Sequence, residues 1–283
     1  MNIFIIGAGR VGSSMGFLLN KHGYNVIGVY NKNIYSAKKT VKKIGDTEIV
    51  RKEELEIILA KADLIMITTP DDVIQNIVSK ISKYNLKNPV YIMHMSGLHT
   101  SDILKVNAQE NVNVFSLHPL QSIANFEEGI KLLPEATYVI EGNKEGKKVA
   151  YQLADDLKLN YQFIEKKFKP LYHASAVIAS NYLVTLINTS YELLKEAGLE
   201  NEGLKEGLLN LARGTLDNID KLGPEDALTG PIERKDSKTI KKHQKSIKKY
   251  MPEYIQLYNQ LGSYTSDMIE ADKIKNLFNN KLI

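Results

Sequence analysis

Six residues near the start of the chain, Gly7-Ala8-Gly9-Arg10-Val11-Gly12, have the spacing GxGxxG. Alone the pattern is weak. Here it follows an apolar β-branched run and opens an amphipathic stretch, the context in which such glycines cradle a dinucleotide. The first glycine permits a tight turn, the second lets backbone approach a pyrophosphate, and the third lets helix and strand pack closely. The phosphates then meet the positive end of the helix. An NAD-selective site would carry Asp or Glu at the end of the second strand, on the ribose 2′-hydroxyl. This chain has Asn31-Lys32 there, with Ser36 beyond and Arg10 in the glycine loop, a set that favours a 2′-phosphate and hence NADP.

Further polar residues fall where strands end. Thr68-Thr69-Pro70-Asp71-Asp72 closes one strand; Thr69 and Pro70 set a cofactor-facing turn, and Asp71 or Asp72 reads as the cap of the following helix. His94-Met95-Ser96-Gly97 and Ser116-Leu117-His118-Pro119-Leu120-Gln121 close the next two, so Ser96, His118 and Gln121 converge near a nicotinamide. His94 reads as a satisfied core residue, and His118, aimed by the proline after it, is either an active-site group or a structural one. On a later helical stretch His173, Val177 and Asn181 recur every four residues among small residues, so a proton donor and an amide share one face. Close helix packing is the plainer account of the same pattern. Thr229, Arg234 and Asp236 lie in a loop with two Gly-Pro pairs; Arg234 suits a substrate carboxylate, and Asp236 is either a substrate residue or a helix cap. The stripe Lys238, Lys241, Lys242, Lys245, Lys248, Lys249 reads as a solvated face.

The elements that must position these residues follow from periodicity. Short apolar runs at Asn2 to Ile6, Asn25 to Tyr30, Leu64 to Thr68, Val90 to Met93, Asn113 to Leu117, Thr137 to Glu141 and Tyr161 to Ile164 alternate with helical stretches at Val11 to His22, Ile34 to Ile44, Lys52 to Ala62, Asp72 to Tyr84, Ser101 to Asn107 and Lys144 to Leu157. That is an α/β, doubly wound parallel sheet of Rossmann type over residues 1–165. Residues 166–283 carry only helical periodicity: a long apolar helix from Leu171 to Ala197, expected to be central and buried, then Asn201 to Lys221, Asp236 to Lys249 and Pro252 to the C-terminus. The second domain is therefore all-helical.

Composition narrows the chemistry. The 283 residues include no cysteine, which excludes disulfides, thiolate metal sites and cysteine nucleophiles. A balance of 37 Lys+Arg against 33 Asp+Glu is too even for a nucleic-acid binder. With no run long enough to span a membrane and no signal-like start, a cytoplasmic protein is expected.

The segments GAGRVG, TTPDD, MSG, HPLQS, YHASAVIASNY and LTGPIERKD, in that order, resemble a family of Rossmann-like candidate NADP-dependent oxidoreductases with a helical C-terminal domain of unknown function. That family is similar to ketopantoate reductase, pyrroline-5-carboxylate reductase and the 6-phosphogluconate dehydrogenase-like enzymes. The resemblance implies a Lys-x-x-x-Asn pair on the first long helix of the second domain, but Val177 stands four residues before Asn181, so His173 or Lys169 would have to substitute. It also implies glycine where Lys235 stands, between Arg234 and Asp236.

The combined expectation is an NADPH-dependent reductase of a small 2-oxo acid, ketopantoate first by resemblance, or of an imine. Hydride transfer is expected between the domains, with His173 as proton donor, Asn181 orienting the carbonyl, His118 as the alternative donor and Ser96 beside them. Gln121, Thr229, Arg234 and Asp236 complete the substrate contacts. The apolar first helix implies a homodimer through residues after 166. A non-catalytic NADP-binding sensor or assembly protein is the alternative, favoured by the missing lysine and by the mild basic stripe.

Overall fold

The computed structural model describes residues 1–105 and 112–279. Its backbone divides into two compact units, Met1–Ser180 and Asn181–Ile283.

The first unit is built on eight strands: β1 (Asn2–Ile6), β2 (Asn25–Tyr30), β3 (Glu48–Ile49), β4 (Leu64–Ile67), β5 (Val90–His94), β6 (Val112–Pro119), β7 (Thr137–Gly142) and β8 (Asn160–Phe163). Its helices are α1 (Arg10–Lys21), α2 (Ile34–Ile44), α3 (Leu55–Leu59), α4 (Asp71–Ile81), α5 (Phe126–Leu132), α6 (Lys144–Asp156) and α7 (Lys169–Ala179). The strands lie side by side in the order β3-β2-β1-β4-β5-β6-β7-β8. The run from β3 to β6 is the expected doubly wound arrangement, parallel throughout.

Register explains why both faces of this sheet are apolar. Ile3 and Ile5 of β1 stand beside Leu64 and Met66 of β4 and bury into one core, while Phe4 and Ile6 stand beside Ile65 and Ile67 and bury into the other. A parallel sheet covered on both sides needs such continuous runs rather than alternation. Asparagine side chains cap four helices, with Asn33, Asn125, Asn143 and Asn201 each accepting from backbone N–H groups in the first turn.

The sheet departs from the expected all-parallel form at one pairing. β7 runs antiparallel to β6, and β8 follows β7. The cause is α5, absent from the periodicity reading. Instead of crossing the sheet back to a parallel start, it packs on α1, where Ser14 Oγ donates to the Phe126 carbonyl and a Cβ at Gly129 would stand 2.1 Å from Ser14 Oγ. Only a residue without a Cβ lets the two helices approach this closely there. The expected helix from Ser101 is a 3-10 turn, Ser101–Leu104, that ends at Lys105, and the expected residues Val106 and Asn107 lie outside the described residues.

The second unit contains α8 (Asn181–Glu196), α9 (Glu202–Leu222), α10 (Ser237–Tyr250), α11 (Ile255–Met268) and α12 (Asp272–Asn279). The single helix expected from Leu171 to Ala197 is two, separated at Ser180, where Ser and Asn side chains favour helix ends over interiors. The division between the units therefore falls at Ser180 rather than at 165, because α7 is fastened to the sheet. The expected burial of the long helix is not found: no residue of α8 is buried within the chain. The stretch from Pro252 breaks into α11 and α12 around Glu270, and residues 280–283 lie outside the described residues. No helix among the described residues is long and apolar enough to cross a membrane.

Candidate functional site

The glycine turn sits between β1 and α1, against the end of β4. Gly7 has φ +115°, and a Cβ there would stand 2.7 Å from the Thr68 carbonyl carbon; at Gly12 it would stand 2.2 Å from Thr68 Oγ1. Thr68 Oγ1 in turn donates to the Gly7 carbonyl at 2.9 Å, so this threonine, unassigned in the sequence reading, clamps the turn. Gly9 differs: a Cβ there would meet nothing within 4 Å. Two glycines serve packing, and the middle one leaves room for a ligand at the first turn of α1, where Gly9 occupies the cap position with no side-chain hydrogen bond. Next to Gly7, where a Cβ would stand 2.9 Å from the Thr69 backbone nitrogen, Thr69 Oγ1 is buried without a partner. A buried hydroxyl left unsatisfied at such a rim is the kind of group a polar ligand satisfies. Pro70, not Asp71 or Asp72, occupies the cap position of α4, and the Asp71 carboxylate accepts instead from Ser96 Oγ at 2.7 Å.

At the end of β2, Asn31 Oδ1 accepts from the Ala8 N–H at 3.4 Å, tying the two turns together, and Ser36 donates its N–H to Asn33. Lys32 borders a cavity of about 490 Å³ with Lys52, Lys80 and Lys83 around an apolar floor that includes Ile6, Leu55 and Ile77. Sequence spacing pointed to Lys32 alone, because Lys52 comes from the turn before α3, Lys80 from the end of α4 and Lys83 from just after it. Arg10, grouped with Lys32 in the sequence reading, turns toward the loop after β6 and donates to the Ile123 carbonyl at 3.4 Å. Val11 follows on the first turn of α1, half-buried.

A second cluster lies across β5, β6, β7 and α7. In register, His94 pairs with Ser116 and Ser116 with Glu141, so three polar residues form one row in the sheet. Lys169 enters from α7 with no exposed surface; its Nζ donates to Ser116 Oγ and, at 3.3 Å, to Glu141 Oε1. Glu141 is completed by the Ser101 N–H at 2.6 Å and hydroxyl at 2.8 Å. Burial holds the Lys169 ammonium down to about 8, partly offset by Glu141. His94 is satisfied on both nitrogens, accepting from the Ser96 N–H and meeting the Thr100 carbonyl, and burial depresses it to about 3. It is the core histidine the sequence suggested.

One turn beyond Lys169, Tyr172 Oη lies 2.7 Å from His118 Nδ1, with the rings edge to face. The His118 and His173 ring centres are 6.2 Å apart, and both reach over Gly97. A Cβ at Gly97 would begin 2.6 Å from His173 Nδ1 and 2.9 Å from His118 Nε2, so only glycine fits beneath the pair. His173 Nδ1 is buried without a partner. Burial, and next the nearby Lys169 charge, depress His118 to about 4. At neutral pH its ring is therefore uncharged.

Other expected site residues are engaged elsewhere. Ser96 Oγ is saturated, donating to Asp71 and accepting from the Leu98 and His99 N–H groups, which leaves it a turn-forming rather than a reactive hydroxyl. Gln121 is exposed and folds onto its own loop, accepting from the Ser122 N–H. Asn181 begins α8 in the second unit instead of sharing a helix with His173. Asp236 caps α10, accepting from the Thr239 N–H at 3.0 Å and hydroxyl at 2.7 Å, so the capping alternative holds. Thr229 and Arg234 are exposed in the same unit. Lys235, where the resemblance implies glycine, has φ +56°, a left-handed position that glycine occupies without strain.

Comparison with known proteins finds two matches along the chain, the second of which begins within the first compact unit. Residues 1–119 match the model of a Rossmann-like domain, and residues 136–265 match a domain of unknown function, DUF2520. The fold resembles that of a candidate NADP oxidoreductase from Bacteroides fragilis, at 21% identity and TM-score 0.73, covering 95% of this chain and 98% of the other. A Thermotoga maritima protein is similar at 23% identity and TM-score 0.73, over 96% and 99% of the two chains. Plasmodium falciparum pyrroline carboxylate reductase, solved with NADP bound, is similar at 15% identity and TM-score 0.59, over 99% and 98%. No curated protein matches the sequence. The chain is thus similar over residues 1–119 to Rossmann-like domains and over residues 136–265 to the DUF2520 domain.

Proposed function

We propose that the protein is an NADPH-dependent reductase of a small carbonyl or imine compound. The observation that carries the reading is the pairing of open space over Gly9 with the orphaned Thr69 hydroxyl, at the rim of a doubly wound sheet. The residues present fit a dinucleotide: Gly7, Ala8, Gly9 and Val11 would face the pyrophosphate, and Thr69 and Pro70 would border the nicotinamide half. Lys32, with Lys52, Lys80 and Lys83 on the same cavity, would favour a 2′-phosphate. The similar Plasmodium protein is named as a pyrroline carboxylate reductase and holds NADP, which accords with this class of cofactor.

Bound there, NADPH supplies a hydride. The chain's own residues then have two tasks, to hold the substrate's oxygen or nitrogen and to give it a proton. His173 and His118 converge on one point above Gly97 and are the groups placed to do both. His173 is assigned the proton, and a neutral His118 a hydrogen bond to the developing charge.

Two measurements test the reading. Titration should show tighter NADPH than NADH binding, with Lys32→Ala narrowing the difference; equal affinities for the unmodified protein would remove the NADP assignment. NADPH oxidation should appear with a member of a panel of small 2-oxo acids and cyclic imines. His173→Ala should then lower kcat by roughly 100-fold without weakening NADPH binding.

A further inference from the structure

One polar contact of the histidine pair is not used by that reading: the Tyr172 hydroxyl on His118 Nδ1, on the ring that shares the space over Gly97 with the unpartnered His173 Nδ1. Tyr172 has one O–H to give, and His118 Nδ1 lies 2.7 Å from it. If Tyr172 donates, both its proton and the Nδ1 lone pair are used, and the imidazole must carry its own proton on Nε2. The opposite tautomer leaves the Tyr172 proton needing another acceptor in a half-buried site.

We propose that Tyr172 is a positioning residue that fixes His118 in the Nε2–H tautomer, so that a neutral N–H is presented above Gly97 beside His173 Nδ1. The inference rests on the reductase reading for its purpose: an N–H fixed there is a ready donor to the oxygen of a carbonyl substrate. In the reduction the carbonyl carbon gains the hydride, the π electron pair moves to oxygen under the His118 hydrogen bond, and His173 delivers the proton that completes the alcohol. A fixed neutral donor needs no proton exchange of its own, which separates its task from that of His173.

The surroundings support a ring that stays neutral. The groups acting on it are Lys169, Tyr172 and His173 of α7 and His94 of β5, while Glu141 of β7 pairs with Lys169. The Lys169 ammonium opposes a second positive charge, burial depresses His118 to about 4, and burial also pushes the Tyr172 hydroxyl up to about 12, so the tyrosine stays a donor.

The test is imidazole nitrogen NMR on the ¹⁵N-labelled protein with no cofactor added, the His118 signals being assigned by their loss in His118→Gln. His118 is expected to show the Nε2–H pattern from pH 8 down to pH 5. Tyr172→Phe should shift it to a mixture of tautomers, while the signals of His94, held by Ser96 and Thr100, stay unchanged and report an intact fold. A wild-type Nδ1–H pattern, or a Tyr172→Phe population identical to wild type, would overturn the proposal. Because the measurement needs no turnover, absent NADPH oxidation alongside the expected tautomer would count against the reductase reading alone. With an active substrate, Tyr172→Phe should lower kcat about 10-fold and leave KM and NADPH affinity nearly unchanged.

Discussion

Lys169 shows how much a single residue depends on what surrounds it. An ammonium with no exposed surface is tolerated because Glu141 and Ser116 face it, and Glu141 is itself tied to both donors of Ser101. Such a pair adds little net stability compared with apolar residues of the same shape, yet removing one partner strands the other charge. Lys169→Met is accordingly expected to cost about 3–5 kcal/mol in urea denaturation. Adding Glu141→Gln to that variant should recover a large part of the loss. If the double variant is less stable than Lys169→Met alone, the two side chains are not coupled in this way.

Among the elements, the turn between β1 and α1 separates stability from binding within one motif. Gly12 is hemmed in by Thr68 and by the Gly7 carbonyl, whereas Gly9 faces open space with φ −80°, which alanine also adopts. Gly12→Ala should therefore unfold or strongly destabilise the first unit. Gly9→Ala should leave the melting temperature nearly unchanged and abolish dinucleotide binding, as read by calorimetric titration. Retained NADPH affinity in Gly9→Ala would show that the cofactor does not approach α1 as proposed. The same reasoning explains Gly97 and Gly129, which are small because a histidine pair and a neighbouring helix come within reach of where a Cβ would be.

For the whole molecule, protonation and association are the two expected dependences. His94 and His118 are held well below the ordinary imidazole value in the fold, so between about pH 6.5 and 4 the unfolded chain binds protons that the folded chain does not. Stability is thus highest above that window and falls as the pH drops through it, with a slope approaching about 1.4 kcal/mol per pH unit for each histidine. Urea midpoints measured across the window should show this, and His118→Gln should flatten the slope; an unchanged slope would mean that His118 titrates normally in the fold. Association follows from α8 and α9, in which no residue is buried and Val184, Leu211, Leu216 and Leu222 are more than half exposed. We propose that a second copy of the chain covers these apolar faces, since patches of this kind are uncommon on monomers. Light scattering should report twice the mass of one chain, and Leu211→Lys should shift it toward the monomer. A single-chain mass at high concentration would refute the homodimer.

Local pattern carried much of this information. The β1 run, the GxGxxG turn, the alternation that builds the parallel part of the sheet and the helical remainder were all legible, because each depends on spacing within one element. The family resemblance implies glycine where Lys235 stands, and the backbone there is left-handed. Tertiary structure decided what depends on distant segments meeting. The reversal at β7 follows from α5 packing on α1, and the break at Ser180 places His173 with the sheet while Asn181 opens another unit. The row His94–Ser116–Glu141, the burial of Lys169 and the meeting of Tyr172 with His118 arise from strand register and from where α7 lands. No periodicity within one segment encodes such meetings, because their energy comes from burial and charge shared across the fold.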